Sequence, residues 1–130
     1  MNAKRELGAA NVATNLAVSD IARARSFYGG VLGLEEVGRE GEHLVTYRSG
    51  SSLLFVYKSE FAGSNQATAA TWLVGDGVDQ IATALKAKGV VFEHYAMPDL
   101  RLEGDVHVGH GMRVAWFKDP DGNILSLASG

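Results

Sequence analysis

The chain has no cysteine and only two prolines in 130 residues. Without cysteine there can be no disulfide, no thiolate nucleophile and no thiolate metal ligand. No apolar run approaches the roughly 18 residues that a membrane-crossing helix needs. The start, "MNAKRELGAANV", is charged and lacks an apolar h-region, so it does not read as a secretory signal. Basic excess is missing too: the formal net charge is −3, which leaves no electrostatic footprint for nucleic acid. There is no G-x-S-x-G nucleophile elbow, and Gly29-Gly30 makes no phosphate loop. These absences lead to the expectation of a soluble, cytoplasmic protein with neither nucleic-acid nor membrane partners.

What is abundant is glycine, with 16 residues. Many tight turns and few rigid kinks point to a strand-rich chain. The composition, 46% hydrophobic and 21% charged, is that of an ordinary globular protein. A single domain spanning residues 1–130 is expected, burying roughly two-thirds of the surface its unfolded chain exposes.

The patterning repeats. Residues 12–18 alternate as a strand, Ser19 or Asp20 offers a helix N-cap, and Ile21, Ala24, Phe27, Tyr28 and Val31/Leu32 form a helical stripe that Gly33 ends. Three strands joined by glycine turns follow at about 34–39, 42–48 and 52–57. "KSEFAGSNQATAA" has no period and reads as a surface connection, with residues 58–68 as the linker. The order then restarts. "ATWLVGDG" reads as a strand, and "VDQIATALKAKG" as a helix with Ile81, Ala84 and Leu85 inward. "VVFEHYAM" is a strand and "PDLRLEGDVHVGHG" a loop, part of which can extend into a strand. "MRVAWFKD" and "NILSLA" are the last two strands. So β-α-β-β-β occurs twice, at about 12–57 and 69–128. The expected fold is α+β: two βαβββ modules forming curved mixed sheets, with helices outside and a concave cleft inside.

Three stretches, "LAVSDIARARSFYGGVLGL", "ALKAKGVVFEHY" and "AWFKDPDGNILSL", resemble the vicinal oxygen chelate superfamily of glyoxalase I, extradiol dioxygenases, fosfomycin-modifying enzymes and bleomycin-type resistance proteins. The resemblance runs from about residue 12 to 128. It implies paired βαβββ modules and a homodimer with clefts near the subunit interface. It also implies a divalent metal held by His/Gln and Glu side chains of the cleft strands. Carried over position by position, those ligands fall on Ala13, on Ala69 or Ala70, and on Ser126. Alanine has no lone pair to offer, and a neutral hydroxyl is a poor ligand for a divalent ion. No metal and no cofactor are therefore expected. "DPDGN" is no calcium loop: its glycine is misplaced, the twelfth position is Gly130, and Pro120 with Asp121-Gly122 suits a turn.

The candidate contacts for a ligand are Asn15, Phe55, Thr71, His94, Met97, His107, His110, Met112, Trp116 and Ser126. Strand parity groups Met112, Val114 and Trp116, and the resemblance makes that side the cleft. A tryptophan there offers a flat surface for an aromatic ring. Phe55 and Tyr57 share a face, but the pattern leaves open whether it meets helix or cleft. Trp72 is expected in the core. In fosfomycin-modifying relatives a substrate-contacting cation stands near His94, which here could hydrogen-bond a ligand or act as a base. His107 and His110, with Asp105 or Glu103, could form a second metal site; a polar loop over the cleft mouth is the reading the spacing favours. Together these point to a metal-free binding protein of the bleomycin-resistance type, sequestering an aromatic drug or natural product. The alternative is a glyoxalase-like lyase or isomerase with atypical or no metal, using His94 or the His107/His110 pair. A dimeric module with a vestigial cleft is a third possibility.

Overall fold

A computed structural model describes residues 6–130. The first five residues, which open the charged stretch read above as no secretory signal, lie outside it. The chain divides into two compact units, one ending at Glu60 and one beginning at Phe61. Each carries a mixed sheet, so the protein is α+β. Among the described residues no helix is long and apolar enough to cross a membrane.

The first unit follows the expected order: β1 (Thr14–Val18), α1 (Ile21–Arg25), β2 (Glu35–Glu40), β3 (Leu44–Ser49) and β4 (Ser52–Lys58). Its sheet runs β1-β4-β3-β2, with β1 parallel to β4 and the other pairs antiparallel. Asp20 caps α1 by accepting a hydrogen bond from the Arg23 amide at 3.0 Å. Past Arg25 the helix widens into a π-turn at Ser26–Val31, and Leu32 N–H reaches back five residues to the Phe27 carbonyl at 2.8 Å. This region holds Gly29 and Gly30, which lack side chains to pack a regular turn. Alternation along the strands buries Leu16, Val18, Val45, Tyr47, Leu54 and Val56. Ile21, Ala24, Phe27 and Tyr28 close over them, and the Tyr28 and Tyr47 rings lie 6.1 Å apart. Burial pushes the Tyr47 phenol above its ordinary pKa. The opposite parity places Asn15 beside Phe55 and Phe55 beside Thr46. Phe55 therefore lies on the sheet face turned away from α1, which settles the point that pattern alone left open.

The second unit contains β5 (Thr68–Leu73), α2 (Val78–Ala87), β6 (Phe92–Glu93), β7 (Arg101–Glu103), β8 (Val106–Gly109), β9 (Met112–Lys118) and β10 (Ile124–Ala128). The sheet order is β5-β10-β9-β8-β7, with β6 also on β9 and β5 parallel to β10. Three details differ from the sequence reading. The strand expected over "VVFEHYAM" shrinks to Phe92–Glu93, and the following loop contains the β7–β8 hairpin. The reason is shared pairing: β6 takes Trp116 and Phe117 on the edge of β9, while β8 takes Met112 to Val114. The chain between them leaves the sheet and returns. The inward stripe of α2 is Val78, Ala82 and Leu85, whereas Ala84 is exposed. The i, i+4, i+7 spacing starting at Val78 outcompetes the stripe drawn from Ile81. These residues share a core with Phe92, Ala115, Phe117, Leu125 and Leu127. Trp72, expected in the core, is half-buried and stacks on the buried Phe117 at 6.4 Å.

The "DPDGN" stretch is a turn. Gly122 N–H donates to the Asp119 carbonyl at 3.0 Å, with Pro120 and Asp121 as the central residues. The buried Asp119 carboxylate accepts from the amides of Asp121 and Asn123 at 3.0 and 2.8 Å, and from the Asn123 side chain at 2.8 Å. Its oxygens are committed to the turn. Gly63, at φ +71°, packs so closely on this turn that a Cβ would overlap the Asp121 carbonyl oxygen.

Candidate functional site

In the second unit, ladder pairing fixes which side chains share the face turned away from α2. Trp116 stands opposite Ser126 on β10 and opposite Glu93 on β6. Ser126 stands opposite Thr71 on β5, and His107 opposite Val114. Trp116, Ser126, Thr71 and His107 are thus brought onto one surface. A pocket of about 270 Å³ opens there, lined by Gln66, Ala67, Thr68, Tyr95, Met97, Trp116 and Ile124.

Aromatic packing builds its wall. The Tyr95 and Trp116 rings meet edge to face at 5.4 Å, and His107 meets Trp116 at 4.8 Å in the same way. Such pairs are held by ring quadrupoles in addition to burial. The indole Nε1–H of Trp116 donates to the Thr68 hydroxyl at 3.1 Å, crossing over β10 to reach β5. His107, 1% exposed, accepts the Tyr95 amide on Nε2 at 2.9 Å. That bond places the ring hydrogen on Nδ1. Among the described residues His107 Nδ1 and the Tyr95 hydroxyl are both buried with no hydrogen-bond partner.

The other expected residues fall elsewhere. His94 packs edge-on against His107 at 6.4 Å, but its Nε2 is held by Asp105 at 2.8 Å and it does not line the pocket. Lys86 of α2 holds the other Asp105 oxygen at 3.0 Å. These two partners, His94 first, keep the Asp105 carboxyl below its ordinary pKa. His110 and Gly111 are the two-residue loop between β8 and β9, both with positive φ, 50° and 72°. His110 is therefore a turn residue, near Asp99 at 3.5 Å, while His107 is buried among rings. The two histidines have different surroundings and partners. Met112 ends the same hairpin and is 46% exposed. Asn15 and Phe55 belong to the first unit.

The positions where the resemblance implies metal ligands do not supply a donor set. Ala13 has no donor side chain. Ala69 is the extra residue where the β5–β10 register shifts, and Ala70 pairs with Leu125. The Ser126 hydroxyl, 2% exposed, shares a 2.8 Å hydrogen bond with Thr71. Among the described residues no group of three His, Asp or Glu side chains is arranged to hold a metal.

Thr68, Gln66, Tyr95 and Ile124 were not singled out from the sequence. Tyr95 had a signal: Glu93, Tyr95 and Met97 alternate with His94, and Glu93 pairs with Trp116. A larger pocket of about 500 Å³ lies in the first unit, bordered by Asp20, Arg25, Arg39, Glu42 and Lys58. There Asp20 is spent on capping α1, and Arg25 holds Glu36 at 2.8 Å. Its lining is mostly charged and polar, with Ile21 and Ala22 as the apolar part and no aromatic ring, so the smaller aromatic pocket is the better ligand site.

Comparison with known proteins agrees with this architecture. The family model for the Glyoxalase/Bleomycin resistance protein/Dioxygenase superfamily matches residues 10–127. An integron cassette protein from the mobile metagenome of Halifax Harbour sewage outfall superposes with a TM-score of 0.71 at 15% identity, covering 94% of this chain and 99% of that one. Lactoylglutathione lyase from Agrobacterium tumefaciens gives 0.69 at 22% identity, covering 92% of each. The fosfomycin resistance protein FosX from Listeria monocytogenes gives 0.68 at 18%, covering 94% of this chain and 91% of that one. At these identities the likeness is one of fold. No curated protein matches the sequence.

Proposed function

We propose that this chain, which belongs to the Glyoxalase/Bleomycin resistance protein/Dioxygenase superfamily, binds a small planar aromatic molecule and holds it without breaking a bond. The observation that carries this reading is the pocket walled by Trp116 and Tyr95, with Met97 and Ile124 as apolar lining and Thr68 and Gln66 as polar handles. Ligand pockets run from about 300 to 1,000 Å³. At about 270 Å³ this one suits one or two fused rings, or the aromatic part of a larger molecule. Metal-free sequestration of the bleomycin-resistance type fits alanines and a hydrogen-bonded serine at the positions where relatives place metal ligands. In this reading the modules at about 12–57 and 69–128, joined by residues 58–68, act as one domain, the protein works as a cytoplasmic homodimer, and capture of an aromatic antibiotic gives resistance.

Tryptophan fluorescence tests it. Titration with aromatic antibiotics quenches emission, and Trp116→Phe removes the quench, while Trp72, stacked on Phe117, serves as internal reference. No change with any member of a broad aromatic library counts against sequestration.

A second reading, a lyase or isomerase without the usual metal, draws on the 2.8 Å contact between His94 and Asp105. A carboxylate that orients an imidazole is the arrangement of a general base. Turnover of an α-hydroxy carbonyl substrate that His94→Gln abolishes would favour it.

A further inference from the structure

Behind the wall of the pocket lie two buried polar atoms without a hydrogen-bond partner among the described residues. His107 is 1% exposed, and its Nε2 accepts the Tyr95 amide at 2.9 Å. Nδ1 therefore carries the hydrogen, and this donor has no oxygen or nitrogen partner. The Tyr95 hydroxyl, whose ring lies tilted against His107 at 6.1 Å, is also buried and unpartnered. Buried polar side chains are satisfied in the large majority of cases, so two orphans in one three-ring cluster need a reason. The third ring of the cluster, Trp116, has its indole N–H on Thr68, and the other buried side-chain atom without a partner among the described residues, the Tyr47 hydroxyl, belongs to the first unit.

Resting on the binding role proposed above, we infer that His107 and Tyr95 form a polar floor, and that the ligand is a neutral planar ring bearing a carbonyl. Tyr95 lines the pocket and separates it from His107. It lies in the segment between β6, which ends at Glu93, and β7, which begins at Arg101. Rotation of its side chain about χ1 moves no backbone atom, so its amide stays on His107. That rotation opens His107 Nδ1–H to the pocket. A ligand carbonyl with two lone pairs then accepts from Nδ1–H and from the phenol, while Trp116 supplies the stacking plane. A site with desolvated donors rejects the apolar isostere, which leaves them unpaired, more strongly than an apolar site rejects a polar one. The pocket size restricts the ring system to one or two fused rings.

Coumarin and 2H-chromene share a bicyclic frame and differ at the carbonyl. Each is titrated into the full chain while the Trp116 indole N–H signal reports the dissociation constant and the His107 Nδ1 nitrogen shift reports its hydrogen bond. Coumarin is expected to bind roughly five- to hundred-fold tighter, the factor two neutral hydrogen bonds contribute, and to move the His107 Nδ1 signal. Tyr95→Phe reduces that preference. His107→Phe is expected to erase it if the variant folds; if it does not, the nitrogen shift in the unmodified protein decides. Equal affinities with an unmoved Nδ1 signal overturn the polar floor and leave aromatic binding standing. Failure of both compounds to move the Trp116 signal overturns both.

Discussion

Trp116 and Thr68 are joined by a 3.1 Å hydrogen bond that spans an intervening strand, from the indole of β9 over β10 to the hydroxyl of β5. The indole is thereby held as a fixed wall. Thr68→Val keeps the shape and removes the acceptor. A single neutral hydrogen bond contributes about 0.5–1.5 kcal/mol, so aromatic ligands are expected to bind about two- to ten-fold more weakly. The indole N–H resonance should shift and broaden in the free variant. An unchanged resonance and unchanged affinity would show that Thr68 does not position the ring.

Acid should loosen the second unit through identifiable carboxylates. Asp105 is held below its ordinary pKa by His94 and Lys86, and Glu103 by Arg113 and Arg101. A carboxyl depressed in the folded state stabilises above its unfolded pKa of about 4, and that stabilisation is lost as pH falls through the folded value. Asp105→Asn should therefore melt lower than the parent at neutral pH. The gap should close as pH drops below about 4. A gap that stays constant from neutral to acid would mean that the Asp105 charge contributes nothing.

Two glycines with positive φ should respond differently to alanine. Gly75, at φ +58°, has open space where a Cβ would go, whereas Gly63, at φ +71°, lies against the Asp121 carbonyl of the DPDG turn. Left-handed backbone costs an L-residue about 1–2 kcal/mol, so that is the expected loss for Gly75→Ala. Gly63→Ala adds a clash with backbone and should lose clearly more. Denaturant midpoints of the two variants check the order, and equal losses would deny the close packing of residue 63 on the turn.

His110 separates turn from ligand site. In the two-residue β8–β9 loop both residues have positive φ, the arrangement that favours Asn-Gly. His110→Asn should leave stability equal or slightly higher and leave aromatic binding unchanged. Weakened binding would return His110 to the site.

The repeat of β-α-β-β-β was legible because each half alternates cleanly, buries Leu16, Val18, Val45 and Val56 or Ala115, Phe117, Leu125 and Leu127, and ends its helix at a glycine. The hairpin at Arg101–Glu103 and Val106–Gly109 was less legible. Its two-residue Gly104-Asp105 turn is a hairpin signal, but the strands are only three and four residues long. The site was half legible. Trp116 follows from parity on a long strand. Tyr95 follows only once Glu93 is known to pair with Trp116, since β6 is two residues long and carries no period of its own. His94 drew attention as a titratable group, yet its partner Asp105 comes from the turn before β8, and the Lys86 that shares Asp105 comes from α2, contacts that sequence spacing does not encode.

The most direct test of the account is amide and indole shift mapping of the full chain with its tightest aromatic ligand. The largest changes are expected on Trp116, Tyr95, Met97 and Thr68, and Trp116→Phe is expected to abolish binding while the fold is kept. Changes confined to the Arg25, Arg39 and Lys58 pocket, or binding unaffected by Trp116→Phe, would contradict it.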